Sequence, residues 1–356
     1  MNQLKVCFIG IGSIAKRHIR NLHTVCDKRG IELHVDAVRR NAAAVGENAY
    51  TVIRNANVVG ENGDEVKRNA SVVGRNIDTV QNNALTVENA GIERVFSWAE
   101  IKTIPNDYDA VFITNPTEMH LETLKQFHEK GKHFFIEKPV VSCDQIEEAK
   151  LFLPRKDAVY YVAAPLRYNA VIRWAKENIN PEDVISVRSI SSSYLPDWRP
   201  GQDYRQTYSA HKDMGGGVSI DLIHEWDYLT FLFGWPKNVK SFIGKKSNLE
   251  TDSDDYAIYI AEYADKIAEL HLDYFGRQTI REMQLFTKND TIVCDIENHK
   301  VSFLKSGQEI EFHEERDDYQ IRELEHFLDL IEKMDEHDSD IAHAIKVLEL
   351  TQGVLQ

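Results

Sequence analysis

The first half of the chain alternates short apolar runs with amphipathic stretches. LKVCFIG is followed by AKRHIRNLHTVCDKRG and then by ELHVDAV; later come YDAVFITNP, HLETLKQFHEKG and HFFIEKP. Strands buried on both faces read as unbroken apolar runs, and strands alternating with helices predict βαβ units around a parallel sheet. The second half changes period. VISVRSISSSYL, YAIYIAEYA, IAELHLDYFG and REMQLFT alternate with a period of two, which suits an open, mostly antiparallel sheet with one covered face. DYQIRELEHFLDLIEKM and DIAHAIKVLELTQGVL have the 3.6-residue stripe of amphipathic helices. The pattern therefore predicts a doubly wound α/β domain over 1–165 and an α+β domain with a large open sheet over 166–356.

Residues 41–89 obey a third rule. Asn recurs at 41, 48, 55, 62, 69, 76 and 83, and Val at 45, 52, 59, 66, 73, 80 and 87. A seven-residue period of small apolar positions places one seam on a helix. A single straight helix of this length would reach roughly 70 Å. ENGDE at 61–65 favours a helical hairpin inserted after the second strand, and a β-arch or partial disorder is the other reading, because Asn, Gly, Thr and Val are mediocre helix formers.

The net charge of −15 argues against nucleic acid or an anionic membrane as partner, since either requires a basic face. Cys7, Cys26, Cys143 and Cys294 lie far apart without CxxC or clustered His/Cys spacing, so neither a disulfide framework nor a metal site is expected. A reducing cytoplasm is the natural setting. The start MNQLKVCFIGIGSIAKRH breaks its apolar run with glycines and continues into Lys16, Arg17 and His18, unlike a signal peptide. No apolar run is long enough to span a bilayer.

Two short stretches carry candidate chemistry. FIGIGSIAKRH sets Gly10-x-Gly12-x-x-Ala15 between the first strand and the first helix. Gly10 permits the turn, Gly12 the approach of a pyrophosphate, and Ala15 close helix–strand packing. The helix-start amides near Ser13 and Ile14 then face the anion. The second strand normally ends in an acidic residue that binds ribose hydroxyls. Here it ends in Arg39 and Arg40, which suit a 2′-phosphate and tilt the cofactor from NAD towards NADP; otherwise they are two solvated charges. Asp36 lies three residues too early for the ribose role.

In HFFIEKPVV an apolar run ends on Glu137, Lys138 and Pro139. Adjacent charges are costly inside a buried strand, and proline cannot donate to the ladder, so the strand ends where a lysine and a glutamate are wanted.

With Gly10-x-Gly12, TNPTEMH (114–120), EKP and DMGGGVSIDLIHEWD (213–227) in this order, the chain resembles the Gfo/Idh/MocA oxidoreductases. The resemblance covers nearly everything outside the heptads. It implies a nicotinamide cofactor, with Lys138 and His224 meeting over the reacting carbon and Asp221 accompanying His224. Only Leu222 and Ile223 separate Asp221 from His224, where many relatives have three residues; on one helix an i,i+3 pair still shares a face. Lys138 supplies a cation to the substrate oxygen and His224 is the candidate acid–base, with Asp221 and Asp227 fixing the imidazole. Glu137 orients the lysine or contacts the cofactor. Asn115 and Pro116 lie at the sheet edge where ligands bind, and His120 positions the cofactor loop.

SSYLPDWRPGQDYRQTYSA (192–210) looks like the substrate-facing loop. Arg167, Trp198, Arg199, Tyr204 and Tyr208, with Tyr194 and Arg205, are expected to line the substrate, and arginines there suit an acidic or phosphorylated sugar. The expected activity is hydride transfer between NAD(P) and a hydroxyl or carbonyl of a sugar, polyol or sugar-nucleotide derivative. A non-catalytic dinucleotide sensor or scaffold and a nicotinamide-assisted lyase or glycosidase are the alternatives. A homo-oligomer, dimer or tetramer, follows from the resemblance alone.

Overall fold

The computed structural model describes residues 1–39 and 91–353, so Arg40 and the heptads of 41–89 lie outside the described residues. The chain divides into two compact units. The first comprises Met1–Pro116, Glu122–Ile136 and Lys156–Val159; the second comprises Thr117–Leu121, Glu137–Arg155 and Tyr160–Gln356.

The apolar runs of the first half form β1 (Gln3–Ile9), β2 (Glu32–Arg39), β3 (Ile92–Ser97), β4 (Tyr108–Ile113), β5 (Gly131–Ile136) and β6 (Tyr160–Val162). They make a six-stranded sheet in the order β3-β2-β1-β4-β5-β6. The β1–β2, β1–β4, β2–β3 and β4–β5 pairs are all parallel. Helix α1 (Ser13–Arg29) returns the chain from β1 to β2, and α2 (His120–Phe127) lies between β4 and β5. Phe8, Phe112 and Phe135 are fully buried at the centre of this sheet, with Phe112 stacked on both of the others. The order reverses between β1 and β4, and in sheets of this kind ligands bind beyond the strand ends at that reversal.

After α3 (Ile146–Ala149) and α4 (Ala170–Asn178), the period-two segments form the second sheet. Its strands are β7 (Val184–Tyr194), β8 (Asn238–Gly244), β9 (Tyr256–Glu262), β10 (Ile267–Asp273), β11 (Phe275–Thr287), β12 (Thr291–Asp295), β13 (Lys300–Phe303) and β14 (Glu309–Glu311). The order is β14-β13-β12-β11-β7-β10-β9-β8. Only β7–β10 is parallel among the pairs described; the others run antiparallel. Its covered face buries Val187, Tyr259, Leu270, Leu272, Met283 and Leu285. Its other face leaves Phe242 70% exposed, with Ile260 and Ile267 also exposed.

Helices α5 (Val218–Asp221), α6 (His224–Phe233), α7 (Asp318–Lys333) and α8 (Ile341–Thr351) complete this unit. The single helix expected through Asp221 and His224 is instead two, α5 and α6, with Leu222 at φ −98°, ψ 29° closing the first. The i,i+3 argument for one shared helix face therefore does not apply.

Candidate active site

In the first unit Gly10 takes φ +90°, and a Cβ there would come within 2.7 Å of Asn115 Cα. Thr114 locks the same junction by donating its Oγ1 to the main-chain oxygens of Ile9 (3.0 Å) and Gly10 (2.9 Å). Asn115 donates Nδ2 to Thr123 Oγ1 at 2.8 Å. Gly12 is the N-cap of α1, with no side-chain cap, no acidic residue in the first turn, and open space where a Cβ would stand. The Ser13–Ile14 end of a 17-residue helix thus keeps its positive pole for an anion. Arg39 closes β2, and its charge, after partial burial, helps push the Lys16 ammonium below its usual range. Two cations so near each other are the setting a phosphate would relieve, so these residues fit a dinucleotide.

Asp36, rejected as a ribose ligand on spacing, is only 3% exposed. It takes two bonds from Arg94 (3.0 and 2.6 Å) and one from the Tyr108 hydroxyl (2.7 Å).

In the second unit Lys138, His224 and Asp221 are brought together. Lys138 Nζ donates to the main-chain oxygen of Asp221 at 3.2 Å, and its amide to Glu137 Oε2 at 3.2 Å. The turn carrying it is held by His120, whose Nδ1 lies 3.1 Å from Pro139 O. A cavity of about 20 Å³, room for one water, is lined by Lys138, Ile223, His224, Asp227, Ser339 and His343 among others. Burial pushes the Lys138 ammonium below its ordinary range; Asp221 and Glu137 oppose that shift and Arg281 adds to it. Burial, then Lys138 and Arg281, push His224 well below 6.5, so its imidazole is neutral at pH 7.

The carboxylates do not hold the imidazole as expected. Asp221 Oδ2 accepts the Tyr274 hydroxyl at 2.6 Å, and the charge of the same carboxylate pushes the Tyr208 hydroxyl above its usual range. Asp227 is gripped by Arg167, from Nε at 2.9 Å and Nη2 at 2.7 Å, and lies 3.5 Å from His343 Nε2. Its pKa is accordingly held low despite burial, mainly by the Arg167 charge.

Arg167 is therefore a correction to the expected lining. It is 4% exposed and bonded to Asp227, Asp338 (2.7 Å) and His343 (2.7 Å), so it braces the site from behind. Tyr204 is another: its hydroxyl accepts the Glu250 amide at 3.0 Å. Arg205 is tied to Asp203 and Glu250, and Tyr194 lies under Arg277 at 3.8 Å. Trp198, Arg199 and Tyr208 stay with the site through the tyrosines. Trp198 packs edge-on against Tyr274 (5.2 Å) and donates Nε1 to Ser193 at 2.9 Å; Arg199 lies over the Tyr208 ring at 5.3 Å. The glycines of DMGGG make this possible, because a Cβ on Gly216 would overlap the Tyr208 main-chain oxygen.

Sequence reasoning missed Tyr274, His343, Arg281 and Glu225. Arg281 Nε lies 2.9 Å from Oε1 of the fully buried Glu225, the residue after His224. A charged residue inside the period-two pattern of REMQLFT was the available signal. His211, Asp213 and Asp252 bring ligand atoms within 4.8 Å of one another at the surface, a grouping unrelated to Lys138 and His224. Among the described residues no helix is long and apolar enough to cross a membrane.

Comparison with known proteins agrees with this architecture. Residues 4–164 match the oxidoreductase family with an NAD-binding Rossmann fold, and 172–292 the GFO/IDH/MocA C-terminal domain. An uncharacterized oxidoreductase of Bacillus subtilis, YrbE, is 27% identical over 155 residues, 40% of this chain and 43% of that protein. Levoglucosan dehydrogenase of Pseudarthrobacter phenanthrenivorans is 27% identical over 140 residues, 38% of this chain and 36% of that protein. The chain thus spans less than half the length of these curated relatives. A structure of levoglucosan dehydrogenase with NADH superposes at TM-score 0.76 and 14% identity, over 99% of this chain and 95% of that one. UDP-N-acetylglucosamine 3-dehydrogenase GnnA from Acidithiobacillus ferrooxidans gives 0.66 and 17%, over 99% and 96%. These likenesses support the fold, and the two domain matches together establish that the chain belongs to the Gfo/Idh/MocA oxidoreductase family.

Proposed function

We propose that the protein is an NAD(P)-dependent dehydrogenase or reductase acting on a hydroxyl or carbonyl of a sugar, polyol or sugar-nucleotide derivative. One observation carries this reading: a half-buried lysine and a neutral histidine, from distant parts of the sequence, line one small cavity. Sugar dehydrogenases among the similar proteins point to the same substrate class.

Gly10, Gly12, Ser13, Ile14 and Arg39 hold the cofactor in this reading, with Asn115 and Pro116 at the strand ends beside them. When bound, the nicotinamide supplies the acceptor or donor of hydride. In oxidation, neutral His224 takes the hydroxyl proton, and the Lys138 ammonium stabilises the oxygen as negative charge develops on it. Asp221 keeps Lys138 charged while Tyr274 holds the acid in place. In reduction the same groups work in reverse. Arg39 with Lys16 favours NADP over NAD.

The free thiols, three of them buried, agree with a reducing cytoplasm. A homo-oligomer is proposed to form through the open face of the second sheet, where Phe242, Ile260 and Ile267 are left to water.

The test is turnover of purified protein with sugars, polyols and sugar nucleotides, followed by reduced-nicotinamide absorbance with both cofactors. Cofactor binding without turnover of any of them would favour a sensor. Product formation without net change in the nicotinamide would favour a lyase or glycosidase.

A further inference from the structure

Arg281 sits where a core residue is due. On β11 the same-face positions Leu285 and Met283 are fully buried, and Arg281 is the next on that face. It pairs in register with the buried Ser191 of β7, just after pairing resumes at Ile280 following a break from Phe275. Irregularities of this kind re-aim side chains beside functional sites. The covered face at this point carries the first turn of α6, which begins with His224 and Glu225. Glu225 is fully buried and lies 2.9 Å from Arg281 Nε.

That contact uses one edge of the guanidinium. The Arg281 side chain is 24% exposed, and the Nε–Oε1 contact is an ion pair without hydrogen-bond geometry, since neither Arg281 Nε nor either Glu225 carboxylate oxygen has a hydrogen-bond partner among the described residues. The charges that bear on it are Glu225, Glu297 and the hydroxyls of Tyr228 and Tyr319. Its own charge acts on both Lys138 and His224. Of the arginines expected to meet substrate, Arg167 is committed to Asp227 and Asp338 and Arg205 to Asp203 and Glu250, while Arg199 lies over the Tyr208 ring. A planar fork, paired with a buried acid and partly exposed, matches the two oxygens of a carboxylate or phosphate.

We propose that Arg281 is a specificity residue that binds an anionic substituent, carboxylate or phosphate, on the sugar turned over at Lys138 and His224. This rests on the reading of that site as a sugar dehydrogenase.

The experiment compares glucuronate and glucose 6-phosphate with glucose and myo-inositol, by kcat/KM and by calorimetric binding, in wild type, Arg281→Gln and Arg281→Lys. Wild type is expected to prefer one of the anionic sugars. The anionic-to-neutral ratio is expected to collapse by about 10- to 100-fold in Arg281→Gln, the factor a charge-assisted bond supplies. Arg281→Lys keeps a cation for Glu225 without the fork, should fold where Gln does not, and should give an intermediate ratio. The carboxylate and phosphate probes separately report which anion is taken. Equal use of neutral and anionic sugars by wild type, or a ratio unchanged in both variants, overturns the inference. Arg281-dependent binding of either anion without nicotinamide turnover would sink the dehydrogenase reading and leave the anion site standing.

Discussion

Lys138 gives its ammonium to the main-chain oxygen of Asp221 over 3.2 Å, while the Asp221 carboxylate is occupied by the Tyr274 hydroxyl at 2.6 Å. The lysine is thereby aimed by a neutral group, and the acid contributes its charge without a direct bond to Nζ. Such an arrangement leaves ammonium protons for a substrate oxygen. Lys138→Ala and His224→Ala are each expected to lower kcat by about two to four orders of magnitude, the range for losing a charge-stabilising or acid–base group. Asp221→Asn keeps the carbonyl and should cost less than either. Steady-state kinetics with the best substrate decide it; near-full activity in Lys138→Ala or His224→Ala refutes the proposed roles.

With the proposed roles, the two groups are expected to set the pH profile of oxidation. His224 must be unprotonated, and its pKa lies well below 6.5 because of burial and the nearby Lys138 and Arg281 charges. Activity therefore falls only as pH drops through that lowered value. Lys138 must be protonated, and burial brings its pKa below 10.5, so activity falls as pH rises through that value. A profile of kcat/KM should show a plateau spanning neutrality, and Lys138→Ala should lose the alkaline limb. An acid limb centred at or above 6.5 would contradict the neutral imidazole.

In the proposed function cofactor choice turns on Arg39, the last residue of β2, whose charge helps depress Lys16. Arg39→Ala is expected to weaken NADP by about 1.5–3 kcal/mol, the worth of a charge-assisted bond, and to change NAD far less. Fluorescence titration with both cofactors checks this. Tighter NAD than NADP binding, indifferent to Arg39→Ala, would defeat it.

Asp36 is expected to matter for stability instead. Removing its carboxylate leaves the buried Tyr108 hydroxyl without that acceptor and Arg94 without its partner. Asp36→Ala should cost about 1–3 kcal/mol, the penalty for stranding a buried polar group. Urea unfolding measures the loss. The ratio of NADP to NAD affinity should stay put; a change in it would return Asp36 to the cofactor site.

The sheets were legible because burial writes itself into period: unbroken runs for β1, β4 and β5, alternation for β7, β9 and β10. The EKP turn was legible because charges interrupt an apolar run, whereas the pairing of Lys138 with the Asp221–His224 segment came only from the family resemblance. What the chain order hid was tertiary. Spacing alone let Asp221 and His224 share one helix, whereas Leu222 ends the first helix and the acid turns to Tyr274, a residue distant in sequence. Arg167 looked like a substrate ligand because its partners Asp227, Asp338 and His343 come from two later segments that no local pattern joins to it.

The two leading glycines of the nucleotide motif answer to different constraints. Gly10 is wedged against Asn115 in a left-handed conformation, so any side chain there collides with the protein itself. Gly12 has an ordinary extended backbone, φ −81° and ψ −172°, and nothing of the protein within 4 Å of a Cβ. A descendant that abandoned the dinucleotide would still be obliged to keep the first glycine merely to fold, and would be at liberty to lose the second. In this architecture, then, persistence of the first glycine records ancestry of the fold, and persistence of the second records continued occupation by a ligand.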